Sequence, residues 1–303
     1  LRKAAESACD PSVEIVGVGA ATLDHLWLVP HFSADEQVIQ ASAQTTMGGG
    51  PVATALCVTA RLGRSSALID SHGDDPAAEV LLEELHCHGV RTDWMRRTPR
   101  SRTALASILV RETDGARQIV YLPSSAPEPE LDESGRALVA SARILHINGR
   151  HERTAREAVR VASQSCTLIS FDGGAGRYRE SMRDLVESSH LRILSAGFAR
   201  DYTGKTDVRS MLRELSRPPA DVVVITEGVL GSHTLLAEGC VHHQPAVHAG
   251  RTVDTTGCGD VYHGAFIHQW LNEPDVVPAM AYAARLAGMN ATGLGGRHVC
   301  GSL

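Results

Sequence analysis

The sequence is poor in aromatic residues, which make up 4% of its 303 positions. Stacking platforms for nucleobases are therefore not expected. It also lacks an excess of positive charge, since 29 lysines and arginines stand against 35 aspartates and glutamates for a formal net charge of -6. Without a basic stripe interleaved with aromatics, the chain reads as having no nucleic-acid partner. No apolar run approaches the roughly 18–20 residues that span a bilayer, and the opening "LRKAAESACDPSVE" has none of the apolar middle a signal peptide needs. A cytoplasmic location with no membrane partner is the expectation. The seven cysteines (Cys9, Cys57, Cys87, Cys166, Cys240, Cys258, Cys300) are odd in number, scattered and never spaced C-x-x-C. That excludes a disulfide framework or zinc knuckle and predicts reduced thiols. The "HCH" at His86–His88 and the "HH" at His242–His243 lack the second ligand pair a structural zinc requires.

What is present is the composition of an ordinary globular protein, 43% hydrophobic and 21% charged. Short β-branched runs recur: "VEIVGVG" (13–19), "SALID" (66–70), "RILHING" (143–149), "TLISFD" (167–172), "LRILSAG" (191–197) and "DVVVIT" (221–226). Such bare apolar runs read as strands buried on both faces of a parallel sheet. Amphipathic stretches at 76–89, 154–164 and 178–189 follow helical spacing between them. Strand alternating with helix predicts one α/β domain over 1–303, built on a Rossmann-like, doubly wound, mostly parallel sheet. Two pieces break the rhythm: "EQVIQASAQTT" (36–46) alternates like an exposed strand, and "TALASILVRETDGARQIVYL" (103–122) reads as two strands around a "DG" turn. With no crossover helix between them, they predict a small antiparallel β lid from insertions at about 34–47 and 98–124; the alternative is a pair of edge strands extending the main sheet.

Three glycine-rich stretches invite chemistry. "VGVGAATLD" (16–24) opens like a dinucleotide fingerprint, but Thr22 stands where the third glycine belongs and "HLWLVP" continues as a strand. NAD binding is not expected. Asp24 is left at the end of a buried strand, where a carboxylate can accept hydrogen bonds from two hydroxyls. "MGGGPVATALCVTARLG" (47–63) places Gly48, Gly49 and Gly50 ahead of a helix opened by proline, so backbone amides can approach a ligand closely. A P-loop is excluded, since no Gly-Lys-Ser/Thr follows. "VDTTGCGD" (253–260) runs into a helix beginning "VYHGAF", which would aim the amides of Gly257, Cys258 and Gly259 from a positive helix end as an anion hole. Asp260, kept ionised by the same dipole, is the candidate base for a hydroxyl attacking a phosphoryl group. On its own it would be read as a helix cap.

These last two stretches resemble the signatures of the PfkB (ribokinase-like) carbohydrate kinases, "DTTGCGD" the specific C-terminal one and "GGGPVATALCVTARLG" the weaker N-terminal one. "HGDDPAAEVLLEELHCHGV" and "VVVITEGVLGS" fall where that family carries comparable segments. The resemblance implies a lidded Rossmann-like sheet, ATP and Mg2+ as cofactors, Asp260 as catalytic base, and Gly257–Gly259 as anion hole. It further implies sugar hydroxyls held by Asp24 and the Gly48–Gly50 turn, nucleotide at Thr226, Gly228 and Gly231, and an adenine pocket on the helix carrying Ala287 and Asn290. Asp254 matches the region that holds K+ in many members. Three positions depart from the pattern: Ala53 replaces a customary asparagine, "SAGF" (195–198) replaces the N-x-x-E segment that helps organise magnesium, and Cys258 replaces alanine or glycine.

For the acceptor, the same stretches look most like a bacterial branch with ketohexose and sulfofructose kinases, and Arg150 after "HING" has the charge to bind sulfonate, phosphate or carboxylate. Val38 and Tyr121 occupy lid positions where sulfofructose kinases use lysine and asparagine. The expected acceptor is a ketose or related sugar, anionic sugars included. A nucleoside acceptor would need Trp27 and Tyr121 as base platforms, and a sugar sensor without chemistry is the reading the altered "SAGF" favours. Apolar faces on the lid imply a homodimer formed through it.

Overall fold

In the computed structural model, which describes residues 13–35 and 38–303, the bare apolar runs become strands with little or no exposed side chain. The first half of the chain forms β1 (Ile15–Val18), β2 (Thr22–Val29), β3 (Ala43–Gly49), α1 (Pro51–Arg61), β4 (Ser66–His72), α2 (Pro76–Cys87), β5 (Val90–Arg91), β6 (Met95–Arg97), β7 (Leu105–Arg111) and β8 (Arg117–Leu122). Next come α3 (Glu133–Ser141), β9 (Ile144–Ile147), α4 (Glu152–Ser163), β10 (Leu168–Gly173), α5 (Arg183–Glu187), β11 (Leu191–Ser195), α6 (Ala196–Thr203) and α7 (Val208–Leu215). The last elements are β12 (Val222–Thr226), β13 (Ser232–Leu235), β14 (Val241–Gln244), α8 (Cys258–Asn272) and α9 (Val276–Asn290). Local chemistry sets several boundaries: Asp75 and Asp207 accept from Ala78 N and Ser210 N, capping α2 and α7.

The large sheet runs β14-β13-β12-β11-β10-β9-β1-β4-β5, with β6 also paired to β4. Strands β12 through β4 pair parallel, while β13 and β14 turn back antiparallel at one edge. Two apolar layers cover it, one holding α3, α4, α6 and α7 residues such as Val139, Ala158, Phe198 and Leu212. The other holds α1, α2, α8 and α9 residues such as Leu56, Leu81, Phe266 and Met280. Strand order reverses between β1 and β9, and ligands of such sheets bind at that crevice, beyond the carboxyl ends of the strands.

A second, four-stranded sheet has the order β3-β2-β7-β8. This separate sheet is the lid, and the edge-strand alternative is excluded. It differs from the expected flap in three ways. The lid is mixed, because its inner strands β2 and β7 pair parallel; β2 follows β1 directly out of the main sheet, and the β7–β8 hairpin lies beside it running the same way. It begins at Thr22, because "TLDHLWLV" finds partners on both sides. The expected strand over 36–46 is displaced to Ala43–Gly49, since β2 offers register only from Leu28↔Ala43 to Thr22↔Gly49; its residues 36 and 37 lie outside the described set.

The expected helix over 178–189 shrinks to α5 and a preceding 3-10 turn at Glu180–Met182. Arg179 is extended, at φ -139 and ψ 142, and donates to the Gly149 carbonyl at 3.0 Å. Tyr178 is packed edge-on against Phe198. Among the described residues, no helix is long and apolar enough to cross a membrane.

Candidate active site

Both glycine-rich signatures meet where α1 crosses α8. Gly264 allows the approach, because a Cβ there would lie 2.5 Å from the Ala55 carbonyl oxygen and 2.8 Å from Val58 Cβ. The two helix N-termini, carrying Gly50 and Gly257, are thereby brought to the same end of the sheet. Gly50 has φ 90 and Gly257 φ 69, left-handed conformations that favour glycine.

The first turn of α8 begins at Cys258, earlier than the sequence reading, and the segment ahead of it is irregular rather than strand. The Cys258 amide leans on the Thr255 carbonyl at 3.4 Å. First-turn amides have no helical acceptor, and nothing lies within 4 Å of where a Cβ on exposed Gly259 would sit. This is open room for an anion. The Cys258 side chain is not involved, and burial pushes its thiol up to about 11.

Asp260 lies one residue further on, partly exposed. Burial and then the Asp172 carboxylate raise its pKa to about 6, against the opposing charges of Arg177, His263 and Arg117. Asp172, on β10, is 3% exposed; its Oδ1 lies 3.6 Å from His263 Nε2 and its Oδ2 3.6 Å from Arg177 Nη1. His263 Nδ1 and Nε2 face the carbonyls of Gly259 at 2.7 Å and Ile193 at 3.0 Å. Arg117 reaches in from the lid, donating to Thr255 Oγ1 at 2.8 Å.

Among the described residues, most buried side-chain atoms without a hydrogen-bond partner lie around these strand ends, namely His146 Nε2, Asn148 Nδ2, Asp172 Oδ2, Arg177 Nη1 and Thr256 Oγ1; those of Arg64, His242 and His268 lie elsewhere. Orphaned polar atoms of this kind are expected where a ligand or water completes the site. The sequence reading missed all of them. For His146, Asn148 and Asp172 the one legible signal was position, at the ends of "RILHING" and "TLISFD". Two open grooves, of about 370 and 460 Å³, lie instead by the C-terminal half of α4 and by α5. They sit at the opposite end of the strands and lack such groups, so the chemistry places the site elsewhere.

Asp24 belongs to lid strand β2, not to the end of a main-sheet strand. It is 8% exposed, accepts from Thr22 Oγ1 at 2.6 Å, and burial raises its pKa. Its carboxylate packs so tightly on Gly49 that a Cβ there would overlap it. Side chains alternate along a strand, so Trp27, three residues on and 40% exposed, faces away from Asp24 and offers no platform in this cleft. Tyr121, opposite Ala106, keeps to the Asp24 side. Its ring lies 4.9 Å from the Arg150 guanidinium, so Arg150 spans the mouth between main sheet and lid. Val38, at 99% exposure, takes no part.

Thr226 closes β12 in register with Ser195 at the end of β11. Gly228 and Gly231 follow at φ 57 and 93, and a Cβ on Gly231 would run into the Gln244 carbonyl. Ala287 is partly buried on α9. Asn290, on the same helix, has its side chain engaged within the protein. It is wholly buried, donating to the Thr256 carbonyl at 3.1 Å and accepting from Val299 N at 3.1 Å. Asp254 is likewise a loop staple, its two oxygens accepting from Thr256 N at 2.7 Å and Gly295 N at 2.8 Å.

The altered "SAGF" does not fit a magnesium-organising segment. Ser195 caps α6 through Phe198 N, and Phe198 is 1% exposed in the core.

Residues 13–300 match the family described as pfkB family carbohydrate kinase. A fructokinase of Solanum tuberosum is 27% identical over 252 residues, 76% of this chain and 73% of that protein. An ATP-dependent ribose-1-phosphate kinase of Halopiger xanaduensis is 26% identical and covers 94% of each chain. Among solved structures, Arabidopsis thaliana ribokinase complexed with ribose and ATP superposes with a TM-score of 0.79 at 20% identity over 95% of each chain. Giardia lamblia ribokinase gives 0.82 at 18% identity over 96% of this chain and 98% of its own. With that match over most of its length and both signatures converging on one cleft, the chain belongs to the pfkB family of carbohydrate kinases.

Proposed function

We propose that the protein transfers the γ-phosphoryl group of ATP to a hydroxyl of a ketose or related sugar, sugars with an anionic substituent included. The observation that carries this is Asp260 beside the open Gly259 amide, its pKa raised to about 6 by burial and by Asp172. A carboxylate poised there is ionised at neutral pH yet basic enough to take a proton from an attacking hydroxyl. The sugar oxygen forms its new bond to the γ-phosphorus, the bond to the ADP oxygen breaks, and the hydroxyl proton ends on Asp260. The amides of Gly257 and Gly259 meet the charge developing on the transferring group.

Asp24 and the Gly48–Gly50 turn hold the sugar hydroxyls, and the β12 end with Gly228 and Gly231 receives the nucleotide phosphates. ATP would arrive with magnesium; since Ser195–Phe198 offers it no ligand, the nucleotide's own phosphates would hold the ion. A K+ ion would rest on carbonyls around Asp254, whose carboxylate is engaged. Arg150 favours an anionic acceptor, in keeping with a relative named for a phosphorylated ribose that aligns over 94% of this chain. Trp27 and Val120, 40% and 69% exposed on the lid, support pairing of two copies through their lids.

The test is ADP production from Mg-ATP across ketoses, aldoses, sulfofructose, sugar phosphates, sugar acids and nucleosides, with Asp260→Asn as control. Turnover with one sugar class, lost in the variant, is expected. Turnover only with nucleosides, or sugar binding without turnover, would overturn the proposal in favour of a nucleoside kinase or a sensor.

A further inference from the structure

We propose that Arg297 and Glu84 are positioning residues that hold the sugar-binding turn from behind and lock it to the anion-hole loop, so that both halves of the site move as one. This rests on the reading of Gly48–Gly50 as the sugar turn.

Arg297 has a side chain only 1% exposed, and each arm of its guanidinium is engaged. Nη1 pairs with Glu84 Oε1 at 3.0 Å, Nη2 donates to the Gly49 carbonyl at 2.8 Å, and Nε donates to Thr54 Oγ1 on α1 at 3.2 Å. Glu84, on α2, completes the grip by accepting from the Gly48 amide through Oε2. The peptides of Gly48 and Gly49 are thus held by one carboxylate and one guanidinium that also hold each other. A Cβ on Gly48 would overlap Arg297, and one on Gly49 would overlap Asp24. The turn is therefore sandwiched between the clamp and the carboxylate assigned to the sugar. His88 adds a further contact, 3.6 Å from Glu84.

The same short segment touches the other half of the site. Gly295 N donates to Asp254 at 2.8 Å, and a Cβ on Gly257 would run into the Gly296 carbonyl. Asn290 joins the Val299 amide to the Thr256 carbonyl. Gly295 also lies against Met47 of β3. Residues 295–299 therefore bridge the lid strand and sugar turn to the loop that starts α8. A planar guanidinium supplies these three directions at once, and an ammonium on a flexible stem cannot.

The experiment compares the full-length protein with Arg297→Lys and Glu84→Gln, by steady-state kinetics and by hydrogen–deuterium exchange on peptides covering 43–57 and 251–260. Expected is a rise of about 10–100-fold in the sugar KM, as slight misplacement of a binding group produces, with the ATP KM within about 2-fold. Exchange should quicken in both peptides together, while α3 and α7 keep wild-type protection. Quickening confined to the 43–57 peptide, unchanged exchange in both, or equal rises in both KM values would overturn the clamp. If the wild type turns over no sugar while both peptides still quicken, the clamp stands and the kinase assignment falls.

Discussion

Replacing Asp172 by asparagine should move the acidic limb of the pH–rate profile, and the sign follows from the charges around Asp260. A carboxylate titrating at about 6 is about 90% ionised at pH 7 and about 10% at pH 5. The base must be ionised to act, so kcat/KM of the wild type should fall about tenfold for each pH unit below 6. A carboxylate at its ordinary value of 3.8 would show almost no loss at pH 5. The whole displacement corresponds to about 3 kcal/mol; burial is its larger cause and Asp172 the next. Asparagine removes a charge and leaves most of the burial, so the limb should move to lower pH by under about one unit. Arg177→Met removes an opposing positive charge and should move it the other way. The observed limb belongs to the Asp260–Asp172 pair as a whole. The assay is kcat/KM for the sugar between pH 4.5 and 8, with folding followed by fluorescence at each point. A limb that stays put or rises in Asp172→Asn, or a wild type with full activity at pH 5, would refute the reasoning.

Gly264→Ala should destabilise by about 1–3 kcal/mol through overpacking of α8 on α1, a fall in Tm of about 2–4 °C per kcal/mol; an unchanged melting curve would show that the 2.5 Å approach to Ala55 is not a constraint. Cys258→Ala should keep kcat within about 2-fold, because its thiol takes no part and its amide is held by the Thr255 carbonyl whatever the side chain, and alkylation of Cys258 at pH 7 should be slow given its raised thiol pKa. Arg150→Met should lower kcat/KM for an anionic sugar by about 10–100-fold, the worth of a charge-assisted hydrogen bond, and leave a neutral analogue unchanged; equal losses on both would remove Arg150 from substrate recognition.

The main sheet was legible because strands buried on both faces are written in nearly unbroken apolar residues, as in "IVGV" of β1 and "VVVI" of β12. The lid was legible in part. Its hairpin carries alternation and a "DG" turn, whereas "TLDHLWLV" gave no sign that β2 leaves one sheet for another. The anion hole and Asp260 could be read because their chemistry is local, set within one turn of a helix. Asp172, Arg177, His263, Glu84 and Arg297 could not, since each gains its role from partners on a distant segment. Glu84 and Arg297 are 213 residues apart in sequence. The hydrogen bonds of Asn290 to Thr256 and Val299 could not be read either, for the same reason.

The most direct test of the central claim is transfer of labelled phosphorus from γ-labelled ATP to the best sugar under single-turnover conditions, in the wild type and in Asp260→Asn, with ATP and sugar binding measured on both. Label should appear on the sugar with the wild type and fall by at least about 10²-fold in the variant, the scale of general-base loss, while both ligands still bind. Equal transfer by the two proteins, or label appearing as free phosphate whether or not sugar is present, would contradict it.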